Sequence, residues 1–129
     1  MPSYDYIFRN TRSGLKFTGD FESFYLNEND PWEQSASQNK GKTNEMANFY
    51  EILRQKLLDF LGSHINNNDS ICGCGCGIGH VTNSLVMKFN DQEVSGCDIS
   101  KTAIEKATQN FQNIDFFQHD ILSGPLPQK

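Results

Sequence analysis

Cys72–Gly73–Cys74–Gly75–Cys76–Gly77–Ile78–Gly79–His80 is the stretch that decides the fold. Four alternating glycines weaken a strand, because each lacks a side chain to pack. They suit a turn over which a ligand passes close to the backbone. Ser70 to Cys74, just before the turn, is short and apolar enough to be a buried strand. Beyond it, Val81, Leu85, Val86 and Phe89 fall at helical spacing. A helix starting there points its free N–H groups and positive dipole end at whatever the glycines hold, favouring a carboxylate or phosphate.

Downstream, the same alternation continues. Glu93 to Asp98 predicts a second strand, and Ser100 caps a helix through Phe111 that buries Ala103, Ile104, Ala107 and Phe111. Ile114 to Gln118 predicts a third strand, followed by the turn-rich Ser123–Gly124–Pro125. Strands alternating with helices imply a parallel α/β sheet with right-handed crossovers. Asp98 ends the second strand, nineteen residues past Gly79. In such a sheet that position suits a carboxylate accepting both hydroxyls of a ribose. The dinucleotide spacing G-x-G-x-x-G fails in every register, ending on Ile78 from Gly73 and on His80 from Gly75; Gly75, Gly77 and Gly79 leave G-x-G-x-G.

Upstream, Met46, Phe49, Ile52, Leu53, Leu57, Phe60 and Leu61 trace one helical stripe over 44–62, expected to pack on the sheet. Thr43 or Asn44 can cap this helix, and Gly62 closes it. Residues 1–43 form a polar, aromatic-rich leader, expected mainly to cover the core. Tyr4 to Phe8 alternates as a short strand does, Asp30–Pro31–Trp32 reads as a turn, and 34–41 reads as a loop.

The chain has 129 residues, with 11 basic against 16 acidic side chains, a formal net charge of -5. That balance argues against a broad nucleic-acid or anionic-membrane footprint. No apolar run approaches the length of a membrane helix, and Met1 to Asn10 lacks a signal-peptide core. Three of the four cysteines crowd into 72–76 rather than spacing out as a secreted disulfide scaffold would; a cytoplasmic location is expected.

Three segments together resemble class I S-adenosylmethionine-dependent methyltransferases. Ser70 to Thr82 looks like their first, glycine-rich motif, Val94 to Ala107 like their second strand and helix, and Ile114 to Ile121 like their third. The likeness covers about residues 44–127. The Asp30–Pro31–Trp32 turn also resembles the leader of nodulation-type small-molecule N-methyltransferases.

The resemblance implies a Rossmann-like three-layer αβα fold with strands in the order third, second, first. It divides the chain into the leader, 1–43, and a partial cofactor-binding domain, 44–129. It further implies that S-adenosylmethionine lies with its methionyl part on Gly75, Cys76, Gly77 and Gly79, its ribose on Asp98 and its adenine amine at Asp120. Ile99 and Ile121 would flank the adenine. The implied reaction is methyl transfer to a nucleophile of a small-molecule acceptor, with no catalytic residue identifiable. Two departures stand out. Gly73 occupies a position usually acidic in the family, and Lys129 falls where the fourth strand should begin, so the acceptor-side half is missing from this reading. A first strand with an unpaired edge is expected to self-associate unless the leader covers it.

Other readings weigh less. A non-catalytic methyltransferase-like docking module is the main alternative, and an NAD-dependent oxidoreductase fragment suffers from the failed fingerprint. Ala36 to Thr43 meets a loose phosphate-loop pattern but lacks the buried strand that should feed it. Cys72, Cys74 and Cys76 invite a metal. In an extended strand, however, residues i and i+2 lie about 6.6 Å apart, whereas two sulfurs on one zinc lie within about 4.6 Å. Small buried hydrophobes, with no metal, are the expectation for Cys72 and Cys74. His80 and His119 are expected to be exposed or packed.

Overall fold

The computed structural model describes residues 5–27 and 44–127. The turn read at Asp30–Pro31–Trp32, the loop at 34–41, the phosphate-loop pattern and the Thr43 cap lie outside them.

The described part of the leader begins with a hairpin. β1 (Phe8–Thr11) pairs antiparallel with β2 (Gly14–Phe17), Phe8 opposite Phe17 and Thr11 opposite Gly14. Gly14 takes φ 109°, open to glycine, and the Thr11 hydroxyl donates to its carbonyl at 2.7 Å. The first strand thus starts where the expected strand at Tyr4 to Phe8 ends; the turn glycine, rather than the alternation ahead of it, sets the pairing. Asp20 then accepts from the Ser23 amide at 3.1 Å and caps α1 (Phe21–Asn27). Hydrogen bonds from Ser23 hold the Asp20 carboxyl below its ordinary value. Phe24 is fully buried, so this segment does contribute to the core.

α2 (Asn44–Gly62) occupies the range its periodicity predicts. Its covering is different. Leu58 is buried, but Phe49 is 58% and Phe60 60% exposed, and Ile52, Leu53 and Leu57 are exposed too. α2 packs on α3 (His80–Lys88) and reaches it with a 3.4 Å contact between Asp59 and Lys88. Period identifies the residues that share a face, not what lies against that face.

β3 (Ile71–Cys74), β4 (Val94–Asp98) and β5 (Asp115–Gln118) form a parallel sheet in the order β3-β4-β5. This is the Rossmann-like α/β arrangement with the expected strand order. Cys74 lies opposite Cys97, and Asp98 opposite Gln118. Both crossovers progress the same way across the sheet. Right-handed connections therefore put α3 and α4 (Lys101–Asn110) on one face. Gly73 belongs to that face: a Cβ there would lie 3.0 Å from the Thr82 hydroxyl of α3. On α4, Ala103 and Ala107 are fully buried against β4 and β5, while Val81 of α3, expected inside, is exposed. Strand alternation turns Cys72, Cys74, Ser95, Cys97 and Phe117 to the other face. No helix among the described residues is long and apolar enough to cross a membrane.

Two substitutions test this packing. The Ser100 hydroxyl accepts from the Ala103 amide at 3.2 Å, so Ser100→Ala should cost about 1 kcal/mol. A Cβ on Gly96 would stand 2.9 Å from the Phe116 ring and 3.1 Å from the Cys76 Cβ; Gly96→Ala should cost about 1–3 kcal/mol by overpacking. Urea denaturation should show both midpoints lowered at unchanged slope.

Candidate cofactor site

The turn after β3 is held by hydrogen bonds that converge on the end of β4. The Gly75 and Cys76 amides both donate to the Cys97 carbonyl, at 2.8 and 2.9 Å. The Gly77 amide donates to Asp98 Oδ2 at 2.9 Å, and the Ser100 amide to Asp98 Oδ1 at 2.9 Å. Bonds of this charge-assisted kind contribute about 1.5–3 kcal/mol each. The Gly79 amide closes the turn on the Cys76 carbonyl at 3.0 Å.

Gly75, Gly77 and Gly79 take φ of 74°, 55° and 95°, a left-handed conformation that side chains disfavour. Their surroundings differ. A Cβ on Gly75 would meet nothing within 4 Å, so a ligand can approach that backbone. One on Gly79 would sit 2.7 Å from Phe116 Cζ and 3.0 Å from Phe111 Cδ2. Gly79 is thus fitted to packing under two phenylalanines.

A cavity of about 870 Å³ opens at the carboxyl ends of the three strands. Six of the residues singled out in the sequence line it: Gly75, Gly77, Asp98, Ile99, Asp120 and Ile121. Two do not. Gly79 is buried under the phenylalanines, and Cys76 sits half-buried with its sulfur 3.6 Å from the Gly77 carbonyl. Asp120 caps its own turn, Oδ1 accepting from the Leu122 amide at 2.9 Å; Oδ2 is engaged by no described residue.

Sequence reasoning missed the opposite wall. Gly19, Asp20, Phe21, Glu22 and Tyr25 of the leader line the same cavity, and so does His119. The two walls are far apart in the chain, and their facing one cavity leaves no local sequence signal. The His119 amide donates to the Asp98 carbonyl at 3.0 Å, and its ring Nε2 lies 3.2 Å from the Gly124 carbonyl. His80 is exposed and meets the Phe111 ring edge-to-face at 5.5 Å.

The cysteines depart from expectation. Cys97 is fully buried, Cys72 half-buried and Cys74 exposed. A small buried hydrophobe therefore describes Cys97 but not Cys74. The sulfurs of Cys72, Cys74 and Cys97 all lie within 4.8 Å of one another. The separation of two residues along a strand bounds their backbones; their side chains converge, and the neighbouring strand supplies the third. Burial, and secondarily the Asp98 charge, pushes the Cys76 thiol up to about 12 from 9.0. Burial, then hydrogen bonding with Cys74, does the same for Cys97, to about 12.

Residues 71–129 match a family model described as "Methyltransferase domain". No curated protein matches the chain. Among solved structures, the plantazolicin methyltransferase BpumL, in complex with a triazolic desmethylPZN analog and SAH, is similar at TM-score 0.56 and 19% identity, over 81% of this chain and 40% of that one. Magnesium protoporphyrin IX methyltransferase (ChlM) from Synechocystis PCC 6803, with bound SAH, is similar at TM-score 0.53 and 19% identity, over 81% of this chain and 51% of that one. These likenesses are in the fold, and the chain spans 40% to 51% of the length of those two proteins. The family match over 71–129, together with the three motifs in order, makes this part of the chain similar to S-adenosylmethionine-dependent methyltransferases.

The thiols provide a check on the site's burial. Alkylation followed by mass spectrometry at pH 8 should modify Cys74 first and Cys97 last, because little of a buried, raised thiol is thiolate there. Cys76 and Cys97 ionise near 9.0 when unfolded and near 12 when folded. Their contribution to stability is therefore complete below pH 9 and is lost as pH rises from about 9 to 12.

Proposed function

We propose that the cavity at the strand ends binds S-adenosylmethionine, and that the chain serves methyl transfer to a small-molecule acceptor. The observation carrying this reading is Asp98. Its carboxylate lines the cavity and holds the glycine turn, yet among the described residues each oxygen spends only one acceptor position. Two positions are left for a ribose diol. Gly75 and Gly77 bring bare backbone to the methionyl part, and the open space at Gly75 supports that fit. Ile99 and Ile121 offer apolar surface for the adenine, and Asp120 Oδ2 an acceptor for its amine. Cys76 and Gly79 shape the turn from behind rather than touch the ligand.

The sulfonium of the cofactor supplies the activated methyl group. The chain's own contribution is then binding and orientation, which can lower a barrier by several kcal/mol when reacting atoms are held in line. Phe21 and Tyr25 give the far wall an aromatic lining, and Asp20 and Glu22 an acidic one. We assign the acceptor to that side.

Calorimetric titration tests the reading. S-adenosylmethionine and its demethylated product should both bind, and NAD should not. Asp98→Ala should weaken binding by about 2–4 kcal/mol, the magnitude of one or two charge-assisted hydrogen bonds. Asp98→Asn, which keeps an acceptor for one backbone amide, serves as the comparison, with circular dichroism confirming the fold of both. Absence of heat with the cofactor and its product, from a folded chain, would leave a non-catalytic docking module as the function.

Self-association completes the reading. Among the described residues, β3 pairs only with β4, so its outer edge presents unpaired backbone groups. The exposed stripe of α2 adds apolar surface. Light scattering should show mass rising with concentration; a monodisperse monomer across the range overturns this part.

A further inference from the structure

The cofactor site leaves one group of reactive side chains unused. Cys72 and Cys74 point to the same face of β3, and Cys97 projects beside them from β4, directly opposite Cys74. Their three sulfurs lie within 4.8 Å of one another. A metal bound at about 2.3 Å to each of three sulfurs needs them about 4 Å apart. The remaining adjustment, under about 1 Å per pair, is within the reach of side-chain rotation with the strands unmoved.

Access supports the same conclusion. Cys97 forms a buried floor, whereas Cys74 is exposed. Cys72 lines a cavity of about 730 Å³ together with Ser95 and Phe117, giving an ion a path to the cluster. A cysteine kept only for packing gains nothing from standing in solvent, so the burial reading fails for Cys74.

The donor set selects the ion. All three ligands are soft thiols, and no further His, Cys, Asp or Glu joins the group among the described residues. A structural zinc closes its shell with four protein ligands. Thiolate donors favour soft ions, and monovalent copper is satisfied by three of them in a plane. We propose that Cys72, Cys74 and Cys97 form a three-thiolate site for a soft monovalent cation, specifically Cu(I). The site is independent of the methyltransferase reading. It nevertheless adjoins the glycine turn: Cys74 precedes Gly75, and the Cys97 carbonyl holds the Gly75 and Cys76 amides. An ion there ties the end of β3, from which the turn departs, to the end of β4, which holds it.

The test uses the full chain, reduced and kept free of oxygen, titrated with Cu(I) in acetonitrile against a copper-specific chelator. One copper per chain should be retained, with X-ray absorption reporting three sulfur neighbours. Cys72→Ser and Cys74→Ser should each weaken retention by at least roughly a hundredfold, beyond the 10–100-fold typical of losing an outer partner. Cys76→Ser, outside the cluster, should leave it unchanged. Cys97→Ser risks the fold because its side chain is buried, so the two more accessible positions carry the test, with circular dichroism confirming each. Equal copper retention by the parent chain and both accessible-cysteine variants overturns the site. Preferential binding of one zinc, lost in the same variants, overturns the assignment to copper.

Discussion

The carboxylate of Asp98 accepts the Gly77 amide on one oxygen and the Ser100 amide on the other, both at 2.9 Å. Three parts of the chain meet there: the end of β4, the turn leaving β3 and the start of α4. With the two amides on the Cys97 carbonyl, three hydrogen bonds strap the turn across the neighbouring strand, and the fourth ties Asp98 to the start of α4. The left-handed conformations at Gly75 and Gly77 persist because this strapping holds them, and the cavity floor has its shape for the same reason. Asp98 is therefore a structural anchor first, and the ribose-binding role proposed for it comes second. The two roles are compatible because a carboxylate has about four acceptor sites and the fold uses two.

That dual role was half legible in the sequence. Its position after the second predicted strand placed Asp98 beside the glycine turn, and strand order followed from alternation. The sequence pointed to a ribose-accepting carboxylate; the geometry adds the anchoring of the turn, and the acceptor positions left over are compatible with the ribose proposed there. The four glycines likewise read as one feature but divide by task. Gly73 admits Thr82, Gly79 admits Phe111 and Phe116, and Gly75 faces open space. A pattern of glycines shows where the backbone must be bare, but not whether the approaching atoms belong to a ligand or to the protein's own side chains.

What stayed illegible depends on contacts between distant segments. Nothing local in 19–25 marks it as a cavity wall, and nothing in the stripe of α2 reveals that Leu58 is buried while Phe49 and Phe60 stand exposed. The cysteines show the same limit at shorter range. Spacing along β3 is a property of one strand, whereas the thiol cluster needs the register of two, and that register pairs Cys74 with Cys97.

The side chains of this sheet explain why polar straps matter so much to it. Strands of a parallel sheet are usually near-continuous runs of large aliphatic residues, buried on both faces. Here β3 reads Ile–Cys–Gly–Cys and β4 Val–Ser–Gly–Cys–Asp. Glycine, serine and cysteine present little area to bury, and burial contributes roughly in proportion to area. Small residues instead let Phe116 lie across Gly96 and approach Gly79, so one ring from β5 fills space that larger strand residues would occupy. The sheet thus gains close approach at the cost of packing area, and the shortfall falls on the hydrogen bonds at its carboxyl end. A site built this way is positioned by backbone amides and one carboxylate, so its geometry responds directly to whatever engages Asp98.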